Sequence, residues 1–230
     1  MSKDIEFVNV GTFTSAGGGT NITVTMPANL KVNDLIMVLV YSSNQAITIP
    51  TGWTEIGNQA NQAVGTAGNT GATRLAVFYR WATTSNPSVT VTGTADVTAG
   101  QSIAFRFVNK NNPFIATASG TQASSANNPT LNGITTTCAN AFIFFAMGVG
   151  RDNTGTANFN GFTNANLNTI TERMDASTST GTGGGVAAWT AFAALTGAIG
   201  NSTATKSGWT DSTTHLTIGL RPKPRRFSVS

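Results

Sequence analysis

Few side chains in this chain of 230 residues could perform catalysis. It has one histidine, His215, one cysteine, Cys138, and nine carboxylates. A Ser-His-Asp or Cys-His site would have to use His215, and no Gly-x-Ser-x-Gly motif surrounds a serine. His215 alternates with apolar residues of a final strand, so we expect a surface imidazole. Cys138 has no motif around it, and we expect a small buried hydrophobe. These residues predict a protein that is not an enzyme.

The carboxylates leave one enzymatic alternative open, a β-sandwich glycanase. Glycoside hydrolysis needs two carboxylates that face each other across a cleft, and the candidates are Glu55, Asp152, Glu172 and Asp175. Arg173 stands between the last two, which favours a surface ion pair of Glu172 with Arg173 or an inter-strand contact. Residues 152–161 place oxygen side chains at alternate positions but contain one carboxylate and no terminal glutamate. The sequence therefore predicts no metal site, and nothing in it implies a cofactor.

Two tryptophans are candidates for binding sugars. Trp53 follows Gly52 and Trp209 follows Gly208. Their flat rings could stack on sugar faces, although packing in the core is the commoner role for tryptophan. They support an alternative function, the binding of glycans.

The strongest charge signal lies in the last ten residues. Lysine and arginine exceed the acids by 13 to 9, and four cations in this segment account for the whole surplus: Arg221, Lys223, Arg225 and Arg226. Pro222 and Pro224 exclude a regular helix. Together with Phe227, these cations predict an extended arm that binds a protein partner. Nucleic acid is not the expected partner, because the rest of the chain carries no net positive charge.

The elements that must position these residues are short β-strands. Apolar runs of strand length, such as Leu35–Tyr41, alternate with stretches rich in Gly, Asn and Thr. The pattern predicts an all-β antiparallel sandwich or jelly roll with long loops, forming one domain over 1–220 and an arm over 221–230. Residues 46–50 and 53–56 are predicted to form a hairpin. Val186–Ile199 fits a strand or a helix, and its flanking glycines favour the strand. The longest apolar run is far too short to cross a bilayer.

The order of several short motifs resembles a group of tailed-phage virion proteins that have a Gly-Trp hairpin and a terminal Leu-x-Pro strand. The motifs lie at residues 50–57 (PTGWTEIG), 74–80 (RLAVFYR), 171–175 (TERMD), 183–187 (GGGVA) and 216–222 (LTIGLRP). The resemblance covers roughly residues 30–222. It implies a non-enzymatic β-sandwich on a capsid or a tail. We expect a capsid decoration or cement protein, with a tail or fibre-tip module that binds glycans as the alternative.

The same expectations extend to assembly and location. Exposed sandwich edges must be covered or blunted, and only 10% of the residues are charged. We therefore expect a closed homo-oligomer, with a trimer favoured, bound to the major capsid protein or another virion protein. No apolar leader follows Met1 and a lone cysteine excludes an intrachain disulfide, which agrees with assembly in the host cytoplasm.

Overall fold

The computed structural model describes residues 4–43, 45–57, 73–93, 96–123 and 127–224. Two antiparallel sheets face each other as a sandwich, so the predicted all-β sandwich is confirmed. The jelly-roll connectivity remains a prediction. The first sheet has the strand order β1-β8-β4-β6-β5, with β2 also paired to β8. Its strands are β1 (Glu6–Val10), β2 (Thr14–Gly17), β4 (Leu35–Ser43), β5 (Thr54–Ile56), β6 (Thr73–Trp81) and β8 (Val97–Arg106).

The second sheet comes from the other half of the chain and has the order β14-β15-β12-β18-β9. Its strands are β9 (Phe114–Gln122), β12 (Ala141–Val149), β14 (Asn168–Thr178), β15 (Gly184–Ala193) and β18 (Thr213–Leu220). The strand preferred for Val186–Ile199 is correct, because most of this segment lies in β15. Glycines bound that strand at its start, where a helix would be costly.

Short strands form two further layers on the outer faces of the sandwich. β3 (Ile22–Val24) pairs with β7 (Val89–Val91) and covers the first sheet. The second sheet is covered by β10 (Thr130–Leu131), β11 (Thr135–Thr136), β13 (Phe159–Thr163), β16 (Gly197–Ala198) and β17 (Ser202–Lys206). Both faces of the central strands are therefore buried, which explains their unbroken apolar runs. In β4, Leu35, Met37 and Leu39 face the other sheet, whereas Ile36 and Val38 face the cover.

The predicted hairpin around Thr51-Gly52 is only half correct. A turn is present, closed by the Trp53 N–H, which donates to the Pro50 carbonyl at 3.1 Å, and Gly52 has φ +81°. Residues 46–50 are not a strand, however. Ile47 packs in the outer cluster beneath the cover, and β5 pairs with β6 instead.

The two halves of the chain have the same topology. Replacing β1, β8, β4, β6 and β5 by β9, β18, β12, β15 and β14 converts the first strand order into the second. The register agrees as well. Leu35 pairs with Trp81 and Phe105, and Phe105 pairs with Phe7. In the second half, Phe142 pairs with Phe192 and Leu220, and Leu220 pairs with Phe114.

Backbone conformations repeat at the matching positions. Two residues before Leu35, Asn33 has φ +70°, and two residues before Phe142, Asn140 has φ +55°. Gly52 precedes Thr54-Glu55 by two residues, as Thr169, with φ +52°, precedes Thr171-Glu172. Glu55 pairs with Phe78 and Glu172 with Trp189. Shared strand order, register and left-handed residues make the fold an internal duplication of about 110 residues.

Candidate attachment site

The first four residues of the predicted arm lie against the protein itself. The Arg221 N–H donates to the Pro113 carbonyl at 2.8 Å, and the Asn109 N–H donates to the Arg221 carbonyl at 2.9 Å. The Lys223 N–H donates to the Phe107 carbonyl at 2.8 Å. Residues 221–224 therefore have partners within the chain and need no second protein to order them. Arg225, Arg226 and Phe227 lie outside the described residues.

This contact borders a groove of about 320 Å³ at the end of the sandwich where β4 begins and β8 and β18 end. The groove is formed by the residues before β4, by those after β8 and by the start of the arm. Its lining residues are Lys31, Val32, Asn33, Asp34, Arg106, Phe107, Val108, Lys110 and Lys223. We call this site the basic groove.

Asp34, the only carboxylate among the described residues that line the groove, is already neutralised. The Arg106 guanidinium donates from Nε to Asp34 Oδ1 at 2.9 Å and from Nη2 to Asp34 Oδ2 at 2.7 Å. The Lys31 N–H also donates to Asp34 Oδ2. The side-chain hydrogen bond to Asp34 raises the pKa of Arg106, so the guanidinium is held in its charged form. Asp34 is 2% exposed, and the bidentate geometry makes it a structural clamp between β4 and β8.

Three lysines of the groove retain their charge for a ligand. Lys31, Lys110 and Lys223 are exposed, and none forms an ion pair with a described residue. Lys110 donates to Asn33 Oδ1 at 2.8 Å, which orients its ammonium group without neutralising it. Val32 is 53% exposed, unusual for a β-branched apolar residue here, and Phe107 has φ +65°. Positive φ is a genuine strain for an aromatic residue.

The duplication shows that the fold does not require the charge of Lys31. Asn33 matches Asn140, so Lys31 and Val32 match Cys138 and Ala139. The second half has the same backbone turn without the charge. Cys138 is half-buried, in partial agreement with its predicted burial.

The tryptophans proposed to bind sugars are both buried and lie in different layers. Trp53 is 9% exposed, packs edge-on to Phe78 and is covered by the Arg80 guanidinium at 4.6 Å. Trp209 is 8% exposed beneath the Lys206 ammonium, at 4.6 Å. Its Nε1–H donates to the Asn158 carbonyl. Neither ring has an open face for a sugar.

The two carboxylates of the predicted pair, Glu172 and Asp175, differ in burial: Asp175 is buried and Glu172 is exposed. Glu172 pairs with Trp189 and Asp175 with Ala187 on β15. A β-bulge at Arg173 therefore places both carboxylates on the face of β14 that is turned towards the outer layer. Asp175 accepts hydrogen bonds from Asn158 Nδ2 at 2.5 Å and from the Phe159 N–H at 2.9 Å. Burial raises the pKa of both carboxyls. Asp175 thus anchors β13 to the sheet.

Glu172 lies in a shallow depression of about 350 Å³, where its own partial burial and then the nearby Asp175 carboxylate raise its pKa. The depression is lined by Phe159, Asn160, Gly161, Phe162, Ile170, Glu172 and Trp189. Of the two alternatives expected for Glu172-Arg173, no ion pair is found between them, whereas Arg173 does make an inter-strand contact. Arg173 instead donates to Thr190 Oγ1 at 2.9 Å and lies over the Phe7 ring at 4.2 Å.

The prediction of a surface imidazole at residue 215 is wrong. His215 is 2% exposed, because the outer layer covers this face of β18 as well. Its Nε2 accepts the Asn132 N–H at 3.0 Å, and burial lowers the pKa to about 4. The ring is therefore neutral at pH 7. It holds the segment after β10 against the sheet.

Sequence reasoning missed Lys31 and Lys110. The available signal was their position, directly before and directly after strands that are adjacent and antiparallel, which brings those ends together. Reading that signal requires knowing that β4 pairs with β8, which local sequence does not reveal.

Comparison with protein-family models, with curated proteins and with solved structures found no match. Among the described residues, no group of three or more His, Cys, Asp or Glu side chains is placed to hold a metal ion. The described part of the chain also contains no helix long and apolar enough to cross a bilayer.

Proposed function

We propose that this protein is a non-enzymatic structural component of a phage virion, a decoration or cement protein that attaches to neighbouring shell subunits. The observation that carries the proposal is the anchoring of residues 221–224 beside the basic groove. It gathers Lys31, Lys110 and Lys223, which form no ion pair with a described residue, at one end of the molecule. The resemblance of the motif order to virion proteins supplies the kind of assembly.

In this proposal the end with the basic groove faces the shell. The opposite end, with the long Gly/Asn/Thr loops, faces outward. Residues 225–230 continue from the anchored segment and contribute Arg225, Arg226 and Phe227 to the contact. The protein assembles as a homotrimer, since β9, an edge strand of the second sheet, carries no charged residue to prevent pairing. Sedimentation equilibrium measures the oligomeric state of the free protein. A monomer at micromolar concentration, together with isolated monomers on the particle, would contradict the trimer.

The test of attachment uses particles that lack the protein. Purified full-length chain is mixed with them and separated by sedimentation, alongside a chain that ends after Pro224. We expect the shortened chain to keep its fold and to attach more weakly. Full-length attachment should weaken as salt rises, because the contact is electrostatic.

Asn153→Asp is the matched control. Asn153 is exposed at the opposite end of the sandwich, and the change is isosteric and adds one negative charge. It should leave attachment unchanged. Equal attachment of the full-length and shortened chains at physiological salt would contradict the proposed role of the arm.

The glycan-binding alternative moves to a different site. Trp53 and Trp209 are buried, but the depression beside Glu172 combines the half-buried Phe162 ring with the exposed Asn160 and Glu172 side chains. Aromatic and hydrogen-bonding groups together suit a sugar. Binding of host surface polysaccharide that disappears in Phe162→Ala would favour a tail or fibre-tip protein over a decoration protein.

A further inference from the structure

We propose that the basic groove binds an extended acidic peptide segment that carries one apolar side chain, supplied by another protein of the assembly. The inference rests on the proposed function only for the source of that segment. The binding itself is a property of the isolated protein.

The charge of the groove selects an anionic ligand. Arg106 and Asp34 satisfy each other, so the field in the groove comes from Lys31, Lys110 and Lys223. Three separate ammonium groups, unlike one guanidinium fork, suit carboxylates spaced along a chain. Exposed ion pairs of this kind each contribute little, so binding should be moderate and sensitive to salt.

The floor of the groove selects an apolar side chain next to those carboxylates. Val32 exposes 53% of its surface, and Val108 and the half-buried Phe107 ring complete the apolar lining. Phe107 is held at φ +65° by the Lys223 N–H, which donates to its carbonyl. Strained residues of this kind persist where the surroundings fix them, and they cluster at binding sites. Covering Val32 on binding would remove apolar surface from water.

Comparison with the matching turn in the second half shows which features of this site the fold itself does not need. The turn around Asn140 keeps the left-handed backbone, but Cys138 and Ala139 replace Lys31 and Val32. A charge and an exposed apolar side chain that one copy of the fold lacks are not needed to form it. They mark a surface specialised for a partner.

The groove suits a peptide better than a nucleic acid. A cavity of about 320 Å³ accommodates a few residues. Binding to single strands instead uses a basic track along several phosphates and open aromatic rings for base stacking. The described lining has three free cations in one place and only the half-buried Phe107 ring.

The experiment uses the full-length protein and a fluorescent peptide, Asp-Glu-Leu-Asp-Glu, measured by anisotropy. We expect saturable binding that weakens with salt, and none to the uncharged companion Asn-Gln-Leu-Asn-Gln. Lys31→Gln, Lys110→Gln and Lys223→Gln should each weaken binding roughly two- to five-fold. Asn153→Asp, which changes the net charge equally at the other end, should have little effect.

A second pair of variants tests the apolar floor. Val32→Ser should weaken peptide binding, whereas Leu195→Ser, at a residue 79% exposed elsewhere, should not. These surface changes leave folding intact, which circular dichroism checks. Unchanged binding in a variant that combines Lys31→Gln, Lys110→Gln and Lys223→Gln would overturn the proposal, as would tighter binding of a single-stranded oligonucleotide than of the peptide.

The two proposals can fail separately. If the peptide binds but the lysine variants still decorate particles normally, the groove is a peptide site and the proposed attachment face is wrong. If particle attachment falls in those variants but no acidic peptide binds, the attachment face stands and the ligand assignment is wrong.

Discussion

His215 illustrates how burial converts a residue that could perform chemistry into a structural one. Its Nε2 accepts a backbone N–H from Asn132, and its cross-strand neighbours on β12 and β9 are Met147 and Gly120, which carry no charge. A Cβ at position 120 would lie 2.5 Å from His215 Cε1, so only glycine leaves room for the ring. The imidazole fills this space in its neutral form.

The neutral form makes stability depend on pH. The pKa of His215 falls from 6.5 to about 4 on folding, because burial penalises the charged ring. The unfolded chain therefore binds more protons between these values, and this contribution is present above pH 6.5 and is lost as pH falls towards 4. We expect a loss of roughly 3 kcal/mol across that window relative to His215→Gln.

Urea unfolding of both proteins at pH 7 and pH 4.5 measures the difference. The variant is the control for Glu172, Asp175 and Asp211, whose pKa values burial raises and whose contributions run in the opposite direction. An equal pH dependence in the two proteins would show that His215 is not neutralised by folding.

At the scale of elements, the segments that lead into β5 and into β14 have the same backbone turn but different residues at its left-handed position. Each of the two segments turns through a left-handed residue two positions before a Thr-Glu pair. The first half uses Gly52, with no atom within 4 Å of an added Cβ, and the second uses Thr169. A β-branched residue pays a steric cost in this region that glycine does not.

Exchanging these residues should therefore act in opposite directions. Thr169→Gly should raise the free energy of unfolding by up to about 1 kcal/mol, and Gly52→Thr should lower it by about 1–2 kcal/mol. Thr163→Gly, at an exposed strand residue without positive φ, is the control and should destabilise. Thermal unfolding of the three variants tests the equivalence, and a loss of stability in Thr169→Gly would contradict it.

At the scale of the whole molecule, two copies of one topology face each other, and the chain leaves each copy at the same place. The segment after β8 and the segment after β18 meet there, with Val108 bridged to Pro222. The C-terminal residues thus close the end of the sandwich before any partner binds.

Removal of this closure should cost stability. A chain that ends after Leu220 loses three backbone hydrogen bonds worth about 1 kcal/mol each, whereas a chain that ends after Pro224 keeps them. We expect the first chain to unfold several degrees below the second in calorimetry. Equal melting temperatures would show that residues 221–224 add nothing to the body.

The sequence by itself determined the all-β class, the positions of the central strands and the charge of the C-terminal segment. These features depend on local composition: apolar runs of strand length, glycines at their ends and four cations among two prolines. The resemblance suggested an assembly, but local patterns did not specify which surfaces would be covered.

Only the tertiary structure decided which faces are buried and which charges meet. His215 was predicted from the alternation of one strand, and the tryptophans from their positions after glycines. Neither local signal can register a covering layer contributed by distant strands. Lys31, Lys110 and Lys223 lie far apart in the chain, and the pairing of β4 with β8 and the return of the chain after β18 bring them together. The duplication was equally hidden, because strand order and register repeat whereas most side chains do not.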